Sequence, residues 1–345
     1  MKKRDFIKSL GWGLAFAPTM GWSASSTQNN TSSILPQPLK KGDWVGLVSP
    51  SAATSERILI TFAVEALEAL GFKVMQGKNL FNRRGHLAGT DQERAGDVNE
   101  MFLNPDIKAV ICIRGGSGAA RILPLLDYDA IRNNPKPLLG YSDITALHMA
   151  IYAKTGLVTF HGPNGTGSWN KFNVNQFEQM FFEKNKLVYE NELEETDDLV
   201  IKKNRTQTIF PGTAEGTLVG GNLTVLSGLA GSPFLPDFED KILFLEDIGE
   251  EPYRIDRMMS TLQLMGALNK IKGFVFGYCT DCSPSSGYGN LNLDQIFEDF
   301  ILPLKIPAYR GAMIGHEAKQ FILPVGGEVA MDAGAGKFWM TSHVF

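Results

Sequence analysis

The chain has 345 residues, 43% of them hydrophobic and 20% charged, with a formal net charge of −4. That length suits about two domains, each able to bury its own core. The absence of a basic excess or a long Lys/Arg patch speaks against a nucleic-acid partner.

The N-terminus differs in kind from the rest. Lys2, Lys3 and Arg4 form a positive head, residues 10–22 are apolar with Gly and Pro, and Ser23-Ala24-Ser25-Ser26 supplies small residues for cleavage. The apolar stretch is too short to cross a bilayer, so residues 1–25 read as a signal peptide. Lys3 to Lys8 resembles a twin-arginine signal with lysine in place of the first arginine. No cysteine follows the apolar stretch, so no lipid or other stable membrane anchor is expected, and the mature chain is expected in the periplasm. Residues 26–38 read as a polar tether.

Residues 44–50 read as a buried strand, 55–70 as an amphipathic helix ended by Gly71, and 73–76 as the next strand. Thr90 is a good N-cap, and Glu93 completes a capping box for a helix that Asn104-Pro105 ends. The apolar strand 107–113 leads into a glycine loop and a helix over 119–126. Leu138-Leu139 reads as a buried strand that turns at Gly140-Tyr141-Ser142-Asp143 straight into a helix over 143–154. Strands alternating with helices predict a parallel sheet of βαβ units, with functional residues at the carboxyl ends of its strands. Beyond 158–163 the pattern changes. Residues 165–200 are mixed and increasingly acidic, which suits a solvated connection with a helix over 174–183. A strand and turn over 214–223, a helix over 223–229, a strand over 241–247, a helix over 252–265, a strand over 273–277 and a helix over 294–304 follow. Short strands fill the tail. The expected division is a domain over 39–165, a linker over 166–205 and a second domain over 206–345.

Cys279-Thr280-Asp281-Cys282 is a lone C-x-x-C without the further ligands a zinc site needs; in an oxidising compartment it can close a disulfide. Cys112 sits in an apolar strand and reads as a buried hydrophobe.

Ser142 at the strand-to-helix corner has two readings. It can be the helix N-cap, or a nucleophile at a sharp elbow, where helix N–H groups supply positive potential. Ile144 stands where G-x-S-x-G would have its second glycine, and the corner by itself favours the cap. Arg114-Gly115-Gly116-Ser117-Gly118 is a poor dinucleotide fingerprint, because Arg121 occupies the third glycine position. It reads as an anion nest or oxyanion loop, or equally as a tight βα turn; Ser117 within it is a rival nucleophile. Glu246 and Asp247 end a strand on opposite faces, so one of them can orient a histidine while either can pair with Arg254 or Arg257. His148 falls nearly two turns beyond Ser142 and should point away. His161 and His316, each beside glycine, are candidates for a base on a mobile loop, or are structural histidines.

Seven motifs then occur in order: Gly89-Thr90-Asp91 with Glu93-Arg94, Arg114-Gly115-Gly116 with Gly118, Gly140-Tyr141-Ser142-Asp143, His161-Gly162-Pro163, Gly220-Gly221-Asn222-Leu223, Leu245-Glu246-Asp247 and Gly315-His316. The set resembles the LD-carboxypeptidases, the serine peptidase family that includes the muramoyltetrapeptide carboxypeptidases and the microcin C self-immunity proteins. The likeness runs from about Pro38 to the end. It implies a Rossmann-like parallel-sheet N-terminal domain and a smaller β-rich α/β C-terminal domain, often in a homodimer. It also implies a triad of Ser142, His316 and Glu246, in a cleft between the domains, that removes D-alanine from muropeptide stems. Asp143 N–H and Gly116 N–H would form the oxyanion hole, with Arg114 and Tyr141 in substrate binding and no metal or cofactor. Specificity is expected from loops 164–172 and 282–292. Two departures stand out: Ser117, where many relatives have an aromatic residue, and the exported N-terminus. The alternatives weighed are a hydrolase of a microcin C-like peptidyl-nucleotide and a periplasmic solute-binding protein without catalysis.

Overall fold

The computed structural model describes residues 33–194, 197, 199–283 and 289–345. The expected signal peptide and part of the 282–292 loop therefore lie outside the described residues. From the tether, Ile34 is described, and it docks beside Leu157 with backbone bonds to Gly156 and Val158.

The first half alternates as its sequence pattern requires: β1 (Trp44–Val48), α1 (Arg57–Ala69), β2 (Lys73–Gln76), α2 (Asp91–Leu103), β3 (Ile107–Cys112), α3 (Tyr128–Asn133), β4 (Leu138–Gly140), α4 (Thr145–Thr155) and β5 (Thr159–His161). The five strands pair in parallel in the order β2-β1-β3-β4-β5, a doubly wound sheet whose order reverses between β1 and β3. β3 and β4 are apolar throughout their buried length because both faces are covered. The capping box of Thr90 and Glu93 forms at α2, with both reciprocal bonds present.

The second half supplies α5 (Lys171–Phe177), β6 (Val188–Tyr189), β7 (Gln207–Phe210), β8 (Thr213–Asn222), α6 (Leu223–Gly228), β9 (Lys241–Ile248), α7 (Pro252–Leu264), β10 (Gly273–Thr280), α8 (Leu293–Phe300), β11 (Ala308–Arg310), β12 (Leu323–Val325), β13 (Glu328–Asp332) and β14 (Lys337–Met340). β8-β9-β10-β11 pair in parallel, and antiparallel strands flank them on both sides to make eight. β12 leaves this half and closes the first sheet as an antiparallel edge on β5. The architecture is the Rossmann-like sheet plus β-rich α/β region that the family likeness implied.

Several local expectations change. Residues Ala119–Leu125 form a 3-10 helix rather than an α-helix, with Pro124 inside it lacking a backbone donor. Capped by Asn170, α5 begins three residues before the expected start, and the helix ends in a wider π turn over Glu178–Phe182. α3, capped by Asp127, was hidden in a stretch too short to show a period. α4 is buried on more than one face. Nine of its residues are buried, because the first sheet covers one side and β8 with α6 cover the other.

Glycines set two close approaches, one within the second sheet and one between the two halves. A Cβ on Gly220, at φ +142°, would lie 1.8 Å from the Phe244 carbonyl oxygen, and one on Gly221 would meet the Thr145 side chain at 2.4 Å. Gly220→Ala is expected to destabilise the fold by about 3 kcal/mol or more, from a strained backbone plus a clash with β9. Gly96, exposed inside α2 with nothing within 4 Å of its Cβ position, should behave oppositely, Gly96→Ala gaining about 0.5–1 kcal/mol. Guanidinium denaturation midpoints of the two variants should move in opposite directions.

Candidate active site

The corner after β4 is built on an unusual backbone. Tyr141 is extended, and Ser142 then takes φ +65°, a left-handed conformation that costs a β-carbon-bearing residue about 1–3 kcal/mol. A three-residue 3-10 turn, Ser142–Ile144, leads into α4, and no side-chain cap closes either segment. The N-cap reading of Ser142 is therefore not the observed role. The corner resembles a nucleophile elbow without its second glycine, because Ile144 is already inside the turn and fully buried.

Neighbouring strands hold this corner. His148 lies on α4 and turns back beneath it: Nε2 donates to the Gly140 carbonyl at 2.8 Å, and Nδ1 accepts from the Thr159 hydroxyl at 2.8 Å. Burial pushes His148 down to about 4, so the ring is neutral and serves as a brace. Asn164 accepts from the Tyr141 N–H at 3.2 Å.

The glycine loop after β3 packs directly on Ser142. A Cβ on Gly115 would sit 3.1 Å from Ser142 Oγ, so only a bare backbone fits there. Gly116 has φ +119° and its Cβ position runs into Ala52 at 2.5 Å, which ties the loop to the β1 exit. Arg114 donates to the Ala53 carbonyl at 3.1 Å and has no carboxylate partner among the described residues. Ser117 is exposed at the loop tip.

Across from the corner, β9 ends in its two carboxylates, and the strand pleat sends them apart. Glu246, fully buried, accepts from His316 Nδ1 at 2.8 Å. Asp247 instead accepts from Asn222 Nδ2 at 3.0 Å and from the Thr224 N–H and hydroxyl at 2.9 and 2.8 Å. Burial, and then the neighbouring Glu246 charge, push Asp247 up to about 6. Arg254 pairs with Glu250 and not with either.

His316 rides on a loop after β11 that is fastened to the end of β10. Tyr278 N–H donates to the Ile314 carbonyl at 2.9 Å, and the Thr280 hydroxyl donates to Glu317 at 3.0 Å. Gly315, at φ +131°, lets the loop approach Glu246, since a Cβ there would lie 3.2 Å from Oε2. Cys279 and Cys282 are joined in a disulfide at the same strand end, with 5.3 Å between Cα atoms. Burial opposes the charged form of His316, but the hydrogen bond and charge of Glu246 outweigh it and hold the imidazole above its ordinary value. With Nδ1–H committed to Glu246, Nε2 is the nitrogen able to take a proton. The Tyr141 ring, one residue before Ser142, lies 5.0 Å from the His316 ring. Burial raises the Tyr141 hydroxyl and keeps it neutral.

His161 is not a base on a mobile loop. It sits on β5, fully buried, 6.1 Å from the Tyr141 ring and 5.3 Å from Phe244, and burial holds it well below the ordinary histidine value. Neither of its nitrogens has a partner among the described residues. His86 and His343 are exposed; the His86 carbonyl accepts from the Ala53 N–H at 2.8 Å, and the His343 ring bonds the Lys184 carbonyl. The sequence reading gave no role to Ser51 or Thr145, named Arg94 only within a motif, and placed Asn164 only in a specificity loop.

A serine on a strained strand end and an imidazole held by a buried carboxylate, its ring 5.0 Å from that of the preceding tyrosine, are side chains of the kinds serine hydrolases use. Residues 45–162 match the family model for the LD-carboxypeptidase N-terminal domain, and residues 215–331 match that for the C-terminal domain. The chain belongs to the LD-carboxypeptidase family and is a serine carboxypeptidase. It is 41% identical over 302 residues to a Bacillus subtilis protein named "Probable murein peptide carboxypeptidase", covering 86% of this chain and 91% of that one. Among solved structures it resembles the microcin C7 self-immunity protein MccF in complex with glutamyl sulfamoyl guanosine, at TM-score 0.81 and 30% identity over 90% of this chain and 99% of that one. The muramoyltetrapeptide carboxypeptidase of Oxalobacter formigenes follows at TM-score 0.73 and 29% identity, over 86% and 97% of the two chains. A binding protein without catalysis is set aside by this membership.

The Glu246–His316 pair can be read directly by NMR titration of the histidine rings. His316 should titrate above an ordinary imidazole, while His148, at about 4, stays neutral through the physiological range. Glu246→Gln should move the His316 titration down. The sign also sets a stability term: the pair stabilises the fold below an ordinary histidine pKa, and that contribution fades as pH rises through the raised value.

Proposed function

We propose that the protein removes the terminal D-alanine from the tetrapeptide stem of muropeptides, using Ser142, His316 and Glu246 as a triad. The observation that carries this reading is the buried Glu246–His316 pair beside the strained Ser142 corner. His316 Nε2 takes the hydroxyl proton as Ser142 Oγ attacks the carbonyl of the L–D amide. The negative charge on the carbonyl oxygen is met by the Asp143 N–H and the Gly116 N–H, each such donor supplying ~3 kcal/mol. The amide C–N bond then breaks, His316 returns the proton to the departing D-alanine amine, and water cleaves the acyl-serine by the reverse use of the same base. Glu246 keeps the imidazole in the required tautomer and stabilises its charged form.

The departing residue carries an α-carboxylate that needs a cation. Arg114, held on Ala53 and without a carboxylate partner among the described residues, is the partner proposed for it, with Tyr141 lining the approach. The relatives' names support the muropeptide substrate. The likeness to the immunity protein favours a second reading, cleavage of an aminoacyl-nucleotide amide at the same triad. An exported location and a homodimer complete the proposal; the signal-like N-terminus and the Cys279–Cys282 disulfide suit an oxidising compartment.

Release of D-alanine from purified tetrapeptide muropeptides, followed by mass spectrometry, tests the first reading. The parent should release it, and Ser142→Ala should lose roughly 10⁴-fold or more in kcat. Turnover confined to aminoacyl-nucleotide amides would transfer the site to the second reading, and an active Ser142→Ala would remove the triad. Arg114→Gln should lose about 10–100-fold in kcat/KM, the worth of a charged hydrogen bond. It should also lose the preference for a free C-terminal carboxylate over its amide.

A further inference from the structure

Three loops meet behind Ser142: the β1 exit at 49–53, the glycine loop at 114–118, and the corner itself. A loop with glycines at 115, 116 and 118, two of them at positive φ, has little stiffness of its own. A donor in such a loop stabilises a transition state only if something else holds it in place beforehand.

Two buried charged side chains of opposite sign do so from opposite ends. The Asp143 carboxylate, 6% exposed, takes two bonds on a single oxygen: Oδ2 accepts from the Ser51 hydroxyl and, at 2.7 Å, from the Ala119 N–H just after the loop. The Arg94 guanidinium, fully buried, bridges the same two loops from behind. Its Nη1 donates to the Pro50 carbonyl at 2.6 Å and to the Gly118 carbonyl at 2.9 Å. Asp91 supplies the balancing charge to Arg94 Nη2, and Arg121 holds Asp91 in turn at 2.9 Å. The Ala52 N–H adds a bond to the Gly115 carbonyl at 3.4 Å. The β1 exit and the glycine loop are thus each gripped twice, once by the residue that directly follows Ser142.

We propose that Asp143, through its carboxylate, and Arg94 are positioning residues that set the glycine-loop N–H groups against Ser142. The Asp143 backbone N–H supplies one half of the oxyanion cradle and its side chain fixes the other half. This inference rests on reading Ser142 as the nucleophile.

The test uses the full mature chain, tetrapeptide muropeptide as substrate and a peptidyl boronic acid as the tetrahedral probe. Asp143→Asn keeps an oxygen where Oδ2 stands, whereas Asp143→Ala removes both bonds. Asp143→Ala is expected to lower kcat by about 10²-fold, the scale of one lost oxyanion donor, with KM within about threefold. Boronate affinity should fall by a similar factor while binding of a product peptide is kept. Asp143→Asn should restore kcat to within about tenfold of the parent. Ser51→Ala, a smaller change, keeps the test open should Asp143→Ala unfold, and should lose about tenfold in kcat while remaining folded. Arg94→Lys, which cannot span both carbonyls, should act in the same direction.

A folded Asp143→Ala and a folded Ser51→Ala with parental kcat and boronate affinity would overturn the proposal, as would losses confined to KM. Failure of the underlying reading is distinguishable, because Ser142→Ala would then keep its turnover.

Discussion

The positive φ of Ser142 is the constraint on which this site depends. Left alone, a serine there would relax by about 1–3 kcal/mol into ordinary extended or helical backbone. The corner survives because its surroundings over-determine it. His148 holds the Gly140 carbonyl, Asn164 holds the Tyr141 N–H, and Asp143 fastens the next turn to the neighbouring loops. Thr145 accepts from the Asn222 N–H at 2.9 Å and so ties the start of α4 to the second sheet. At about 0.5–1.5 kcal/mol net for each buried hydrogen bond, four such contacts outweigh the strain.

The second dependency is electrostatic. A fully buried carboxylate such as Glu246 is costly unless a charge-compensating donor reaches it, and His316 is that donor. Asp247, its neighbour in sequence, has a different solution, three side-chain and backbone donors from the α6 start and a proton affinity raised by burial. The pleat of β9 lets one pair of acidic residues serve two purposes, one facing the histidine and one binding the turn at Asn222. Gly315 and the β10 contacts make the His316 loop fit Glu246 closely, and the disulfide sits at the strand end from which that loop hangs.

These features gather at the carboxyl ends of β1, β3 and β4, beside the point where the strand order reverses. In doubly wound sheets that is where neighbouring loops diverge and leave a crevice. The second sheet contributes its own residues from the carboxyl end of β9, so the candidate site draws on both halves of the chain. β12 crosses back to edge the first sheet, and α4 packs on β8 and α6, so the two halves are joined at more than one place.

Local chemistry was legible where a single residue's preference decides the structure. The capping box at Thr90, the alternation of strand and helix and the breaks at Gly71 and Asn104-Pro105 all follow from propensities within a few residues, and they are found. The ordered motifs identified the family and picked out Ser142, Glu246 and His316 as residues of interest. What stayed hidden depends on contacts distant in sequence. Whether Ser142 caps a helix or stands strained at a corner is decided by His148, Asn164 and Asp143 acting through space. His161 reads like His316 in a glycine-flanked segment, yet one is sealed in a parallel strand and the other meets a carboxylate 70 residues away. The 3-10 turn at 119–125 has a local cause in Pro124, whereas the π turn at 178–182 carries no such mark in its residues. By itself the sequence determined the layered α/β architecture, the family and the chemical types present. Only the tertiary structure decided which carboxylate meets which histidine and which backbone is strained, because burial and hydrogen bonding across separate strands outweigh the few tenths of a kcal/mol by which local preferences differ.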